Sequence, residues 1–200
     1  MQEKIEAARR QLGTALALFL QDLDPISVHC LASGAVEVID FYAEQAGTVR
    51  FAQHALETVP ELDMRTLRKL QRQYWNAFKH ASKPHDGGER LLDQELLRRF
   101  DDEQNDHALF VGWGDYLLLV GKCPVEVQAF QVWYYARYPE KLIRGTAAIE
   151  HAVKLFPDLR SNSRSEQKRL LRDRVEEARA DQDVMDDPRT EQRPLILPWP

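Results

Sequence analysis

The 200-residue sequence predicts an all-α, single-domain multi-helix bundle of seven to nine helices, with a peripheral charged C-terminal helix and a Pro-rich tail. Three observations carry this. Apolar residues recur three and four positions apart along most of the chain, which is the pattern of a helix with one buried face. Breakers at Pro25, Pro60, Gly87-Gly88, Gly121, Pro124, Pro139 and Pro157 divide the chain into segments of helical length. The composition, 44% apolar and 30% charged, is that of a globular domain long enough to bury a sizeable core.

Taken in order, residues 2–21 place Ile5, Ala8, Leu12, Ala15, Leu16 and Phe19 on one helical face. Asp24-Pro25 then starts a second helix, the Asp capping free N–H groups and the Pro occupying the first turn, where its missing N–H costs nothing. That helix, about 25–45, carries Val28, Leu31, Ala35, Val38, Ile39 and Tyr42, and its small middle, Ala32-Ser33-Gly34-Ala35, lets another backbone come close. It is expected to be the central helix. A short helix over 48–57 precedes Pro60, and a longer one over 62–82 ends at the Lys83-Pro84-His85-Asp86-Gly87-Gly88 loop. Residues 89–99 form another short helix. The acidic run 101–106 caps a helix that Gly121 terminates, with Gly112 and Gly114 relieving crowding around Trp113.

Pro124 opens the next helix, to Arg137. The alternation Val125, Val127, Ala129 also fits a strand, but Phe130, Trp133, Tyr134 and Arg137 favour helical spacing. After Pro139 a helix runs through Leu142, Ala148, Ala152 and Leu155. Residues 1–160 thus make the bundle domain and 161–181 a charge-laced peripheral helix with a thin stripe of Leu170, Leu171, Val175 and Ala178. Residues 182–200 make a tail that is either flexible or docked as an extended arm.

The net charge of −5 excludes general coating of nucleic acid and leaves room for a local basic patch. No apolar run approaches the ~20 residues that span a bilayer, and the first residues do not form a secretory signal, so no membrane partner is expected. Cys30 and Cys123 read as two reduced thiols of a cytoplasmic protein. His29, His80, Asp106 and His107 share no Glu-x-x-His or His-x-x-x-His spacing, so neither a metal nor another cofactor is expected. His29 reads as a satisfied core histidine, with a catalytic or ligand role as the alternative. The group Phe130, Trp133, Tyr134, Tyr135 and Tyr138 cannot share one direction, so some of it is expected in the core and some at the surface or a partner interface, as core packing plus a homodimer surface would give.

One constellation stands out. Residues 64–83 carry Arg65, Arg68, Lys69, Arg72, Lys79 and Lys83 and no acid. Leu67, Leu70, Tyr74, Ala77, Phe78 and Ala81 form the core stripe of this helix. Arg72, Asn76 and His80 fall four apart on the opposite side. This is either a solvated face or a strip able to hold a phosphodiester, with Arg on phosphate oxygens, Asn orienting and His moving a proton. Arg65, Lys69 and Lys79 would add binding charge, and Trp75 and Tyr74 a stacking surface.

The stretch Asn76-Ala77-Phe78-Lys79-His80 preceded by Arg72 resembles the motif of HEPN domains, helical bundles that often act as metal-independent ribonucleases. The resemblance implies Arg72 and His80 as a catalytic pair, Asn76 as its neighbour, and RNA as partner. The seven residues between Arg72 and His80 exceed the family's interval. A broader resemblance, on Asp24-Pro25-Ile26-Ser27-Val28-His29, on Trp75 to His80 and on Trp113 to Tyr138, is to uncharacterised bacterial all-helical proteins. It implies no activity. The expectation is therefore a helical binding or interaction protein of unknown small-molecule ligand, with the RNA-directed reading beside it.

Overall fold

The computed structural model describes residues 2–48, 50–58, 61, 63–80, 91–141 and 146–198. Within them the protein is an all-α bundle: α1 (Gln2–Leu20), α2 (Pro25–Gln45), α3 (Phe51–Thr58), α4 (Met64–Lys79), α5 (Leu91–Arg99), α6 (Glu103–Val120), α7 (Val125–Arg137), α8 (Ala147–Leu155), α9 (Arg164–Ala180) and α10 (Gln182–Met185). Short 3₁₀ turns occupy Pro139–Lys141 and Leu159–Ser161. The expected helix through Leu142 is this turn followed by α8, and Leu142 itself lies outside the described residues, as do Ala81 and Lys83.

Local chemistry sets several boundaries. Asp24 accepts the N–H groups of Ile26 and Ser27 at 3.4 and 2.9 Å and starts α2, with Pro25 in the first turn. Asp63 caps α4 through the Thr66 N–H at 2.8 Å. Gly121, at φ 82°, ends α6 in the left-handed conformation that only glycine adopts freely. Asp101 accepts the Glu103 N–H at 2.9 Å, whereas Asp102, expected to cap, turns its carboxylate to Arg164 and Lys168.

α2 lies between α1 and α6, and α7 packs against α8 and α9. By length and composition α2 is the one helix, among the described residues, that passes as a membrane span. Glu37 and Asp40 interrupt it, and Val28, Ala32, Ala35 and Ile39 are buried against its neighbours. The two layers meet on Phe19 of α1, which sits edge-on to Phe130 and Trp133 of α7 at 5.6 and 5.9 Å. Each such ring, fully withdrawn from water, contributes roughly 1.5–3 kcal/mol. Gly112 admits the close approach of α6 to α1, since a Cβ there would meet Leu12 at 2.7 Å. Gly114, by contrast, faces open space and relieves no crowding.

The aromatic residues in and after α7 pack more fully into the core than expected. Phe130, Trp133, Tyr134 and Tyr138 are all buried within this chain, and Tyr135 is half-buried. A helix covered by α1, α6, α8 and α9 buries several faces at once, so these four rings belong to the core and Tyr135 alone of the five keeps part of its surface open. Trp133 also donates to the Gln167 carbonyl at 3.1 Å, tying α7 to α9.

Charges hold α9 in place. Arg164 pairs with Asp102 at 2.6 Å and with fully buried Asp106, whose other bond is from the Tyr138 hydroxyl at 2.7 Å. Lys168, 1% exposed, reaches Asp22 and Asp102 at 2.8 and 2.7 Å. Burial pushes Asp106 up to about 6 while Arg164 pulls it down, so it is ionised at neutral pH.

The 182–198 segment runs back over the bundle. The Cys123 N–H donates to the Arg189 carbonyl at 2.9 Å, and the Glu191 N–H to the Cys123 carbonyl at 2.8 Å. Buried Arg9 of α1 pairs with Glu191 at 3.3 Å and donates to the carbonyls of Pro194 and Leu195 at 2.9 and 2.6 Å. A Cβ on Gly13 would overlap that Leu195 carbonyl. Hence α1 carries glycine where the strap crosses it.

Candidate functional site

α4 is where the sequence placed its candidate residues, and the structure rearranges them. The helix stops at Lys79, short of residue 82. His80 caps it with extended backbone, φ −117° and ψ 117°, its N–H donating to the Asn76 carbonyl at 3.0 Å. His80 is thus exposed at the helix end instead of continuing the Arg72–Asn76 strip. Leu70, expected in the core stripe, is 50% exposed, while Leu67 and Tyr74 are buried. Lys79 sits over the Trp75 ring at 4.2 Å, so both are engaged with each other. Arg65, Lys69, Arg72 and Asn76 line an open groove between α4 and α5, with Asp93, Glu95 and Arg99 opposite. His80 lines neither this groove nor the cavity described next.

That cavity, of about 270 Å³, lies among α2, α4 and α6. Its wall is mainly apolar, from Val36, Ala52, Tyr74, Ala108 and Val111. Polar groups converge on it from each helix: His29, Ser33 and Asp40 of α2, Arg68 and Arg72 of α4, His107 and Asp115 of α6. An apolar wall with a few convergent polar groups is what small-molecule sites have in common, and the volume falls just below the usual range of about 300–1,000 Å³.

His29 is the informative member. It is 4% exposed and ringed by the edges of Tyr74, Phe78 and Phe100, with centroids 5.9, 6.0 and 5.3 Å away. Its Nδ1 lies 3.1 Å from Oδ1 of fully buried Asn105. The Asn105 amide donates to the Pro25 carbonyl and to Asp102, at 3.0 and 3.2 Å, which fixes Oδ1 as the end facing the imidazole. Nδ1 therefore carries the proton. Burial drives the His29 pKa down to about 4, so the ring is neutral and Nε2 presents a bare lone pair. That nitrogen is buried and has no partner among the described residues. The hydroxyl of Ser33, one turn along the same helix, has none either. Leaving such a group unmatched costs about 1–3 kcal/mol. The expectation of a satisfied core histidine holds for one nitrogen only.

The other polar groups are mostly committed. His107 accepts from the Lys141 ammonium at Nε2 and faces the Tyr134 hydroxyl through Nδ1, both at 2.9 Å. Burial lowers its pKa to about 4 as well, with Lys141, Arg164 and Arg137 acting in the same direction. Asp115 accepts the Phe51 N–H at 2.7 Å, and burial pushes it up to about 6. Arg50 pairs with Asp40 and Glu44 at 3.1 and 3.2 Å, and Arg68 approaches the same carboxylates at 3.8 and 3.9 Å. Arg72 is the exception. It is half-buried and has no hydrogen-bond or ion-pair partner among the described residues.

The sequence pointed to Arg72 but not to the cavity it borders. The available signal was His29 and Ser33 at i and i+4, polar positions on the face of α2 that also carries Val28, Ala32 and Ala35. No group of three or more His, Cys, Asp or Glu is placed to hold a metal ion among the described residues. Comparison with family models, with curated proteins and with solved structures gives no match for this chain.

Proposed function

We propose that this protein is a binding protein whose site is the cavity among α2, α4 and α6, occupied by a small organic molecule. The observation that carries the reading is the unpartnered Nε2 of His29, a buried acceptor held in one tautomer by Asn105. An interior that keeps such a group bare is stabilised when a ligand supplies the missing donor. The unbonded thiols of Cys30 and Cys123 support a reducing, cytoplasmic setting.

The test is a fragment screen by NMR on the isotope-labelled chain, repeated on Ala108→Phe, which fills the cavity from α6. Binders are expected to shift the resonances of His29, Ser33, Tyr74 and Val111 together and to lose their effect in the variant. Fragments that act only outside this set, or that bind Ala108→Phe equally well, would refute the site.

A second reading has its own support. The open α4–α5 groove gathers Arg65, Arg68, Lys69 and Arg72 around Asn76, as an RNA backbone would require. An RNA-directed, HEPN-like activity predicts retention of RNA that falls steeply with salt, and chelator-insensitive cleavage lost in His80→Ala. Absence of RNA retention at low salt rules it out. A homodimer is tested by sedimentation.

A further inference from the structure

We infer that the occupant of the cavity is a small monocarboxylic acid whose far, otherwise apolar end carries a hydroxyl or N–H donor. This rests on the cavity being the binding site and names the class of molecule that fits it.

Three groups of the lining lack partners among the described residues, and the two ends of the cavity ask for opposite chemistry. The lone pair of His29 Nε2 requires a donor, because Asn105 Oδ1 holds the ring proton on Nδ1. The Ser33 hydroxyl, one turn away, serves the same end of a ligand as donor or acceptor. Arg72, half-buried and unpaired among the described residues, presents a planar fork that matches a carboxylate in a bidentate fashion. The neighbouring Arg68 is already directed to Asp40 and Glu44, so Arg72 is the cation left for a ligand.

Charge on the remaining wall selects a monoanion. Glu37, Asp40 and Asp115 border the same space and would repel the second charge of a phosphate monoester. Between the two polar ends lie Val36, Tyr74 and Val111, which suit one ring or a short aliphatic chain. The volume of about 270 Å³ limits the molecule to roughly that size. A site built around an acceptor discriminates strongly against an analogue without the donor, since the buried group is then left unpaired.

Three probes of one shape separate these requirements: 4-hydroxyphenylacetate, phenylacetate, and 4-hydroxyphenylacetamide, titrated calorimetrically into the full chain. The hydroxy acid is expected to bind at least tenfold more tightly than either of the others. In His29→Leu the advantage of the hydroxyl disappears while that of the carboxylate persists, and in Arg72→Gln the reverse holds. The ligand series on the unaltered chain decides the matter even if a variant does not fold. Equal binding of acid and amide, or of hydroxylated and plain acid, overturns the class while leaving the cavity an occupied site. Binding of none of the three overturns the class as well, and the fragment screen then shows separately whether the cavity binds anything.

Discussion

Asn105 Oδ1, fixed by the two bonds of its own amide nitrogen, stands 3.1 Å from His29 Nδ1 and determines which nitrogen of that buried ring holds the proton. Nitrogen NMR should accordingly show Nδ1 protonated and Nε2 bare, with no titration between about pH 8 and pH 5. Replacing Asn105 by Leu should release this preference, seen as exchange between tautomers.

The same burial makes His29 a source of pH dependence. Its pKa in the folded chain, about 4, lies below the ordinary 6.5. The stability it confers is therefore fully present above about pH 6.5 and is lost as pH falls towards 4, by about 3 kcal/mol at that limit. His107 acts in the same direction. Asp115, raised to about 6, acts oppositely as pH falls from 6 towards 3.8. Urea melts at pH 7 and pH 4.5 should show a larger acid loss for the natural chain than for His29→Leu. Equal losses would show that His29 is not held neutral.

Gly13→Ala should destabilise the protein, although alanine normally favours a helix interior by about 0.5–1 kcal/mol over glycine. The added methyl overlaps the Leu195 carbonyl, so the strap must lift and Arg9 loses its acceptors. A loss of about 1–3 kcal/mol is expected. Limited proteolysis should then cut within 191–198 first.

Arg164→Met should cost about 3–5 kcal/mol, because it leaves the fully buried Asp106 carboxylate without its cation. Adding Asp106→Asn should recover part of that loss, since the amide needs no counter-ion. Thermal denaturation of the two variants makes the comparison.

Trp133→Ala should lower stability by about 3–5 kcal/mol through the cavity left beneath α9, and leave the sedimentation coefficient unchanged. A shift in mass would restore this residue to a partner surface.

Where the sequence was informative, local physics decided the outcome. The start of α2 follows from Asp24-Pro25 and the end of α6 from Gly121, each set by groups within a few residues. The end of α4 was not legible in the same way, because Lys79, His80 and Ala81 offered no breaker before Pro84. The all-round burial of α7 and the exposure of Leu70 depend on which other helices arrive, and periodicity reveals only that a face is apolar. The candidate site was half visible. Arg72 stood out as a cation on a helix without acids, but the cavity joins three helices separated by long stretches of chain. His29 gained its meaning from Asn105, a contact 76 residues away.

The partners of Arg9 lie some 182 to 186 positions further along the chain. At a synthesis rate of about 5–20 residues per second, α1 emerges roughly 10–40 s before Glu191 and Leu195 exist to receive its guanidinium. Until then that charge must stay hydrated, and the nascent bundle carries an open seam. Closure of that seam waits on the synthesis of residues 191–195, which makes factors that shelter emerging chains part of the physical setting in which this protein acquires its native form.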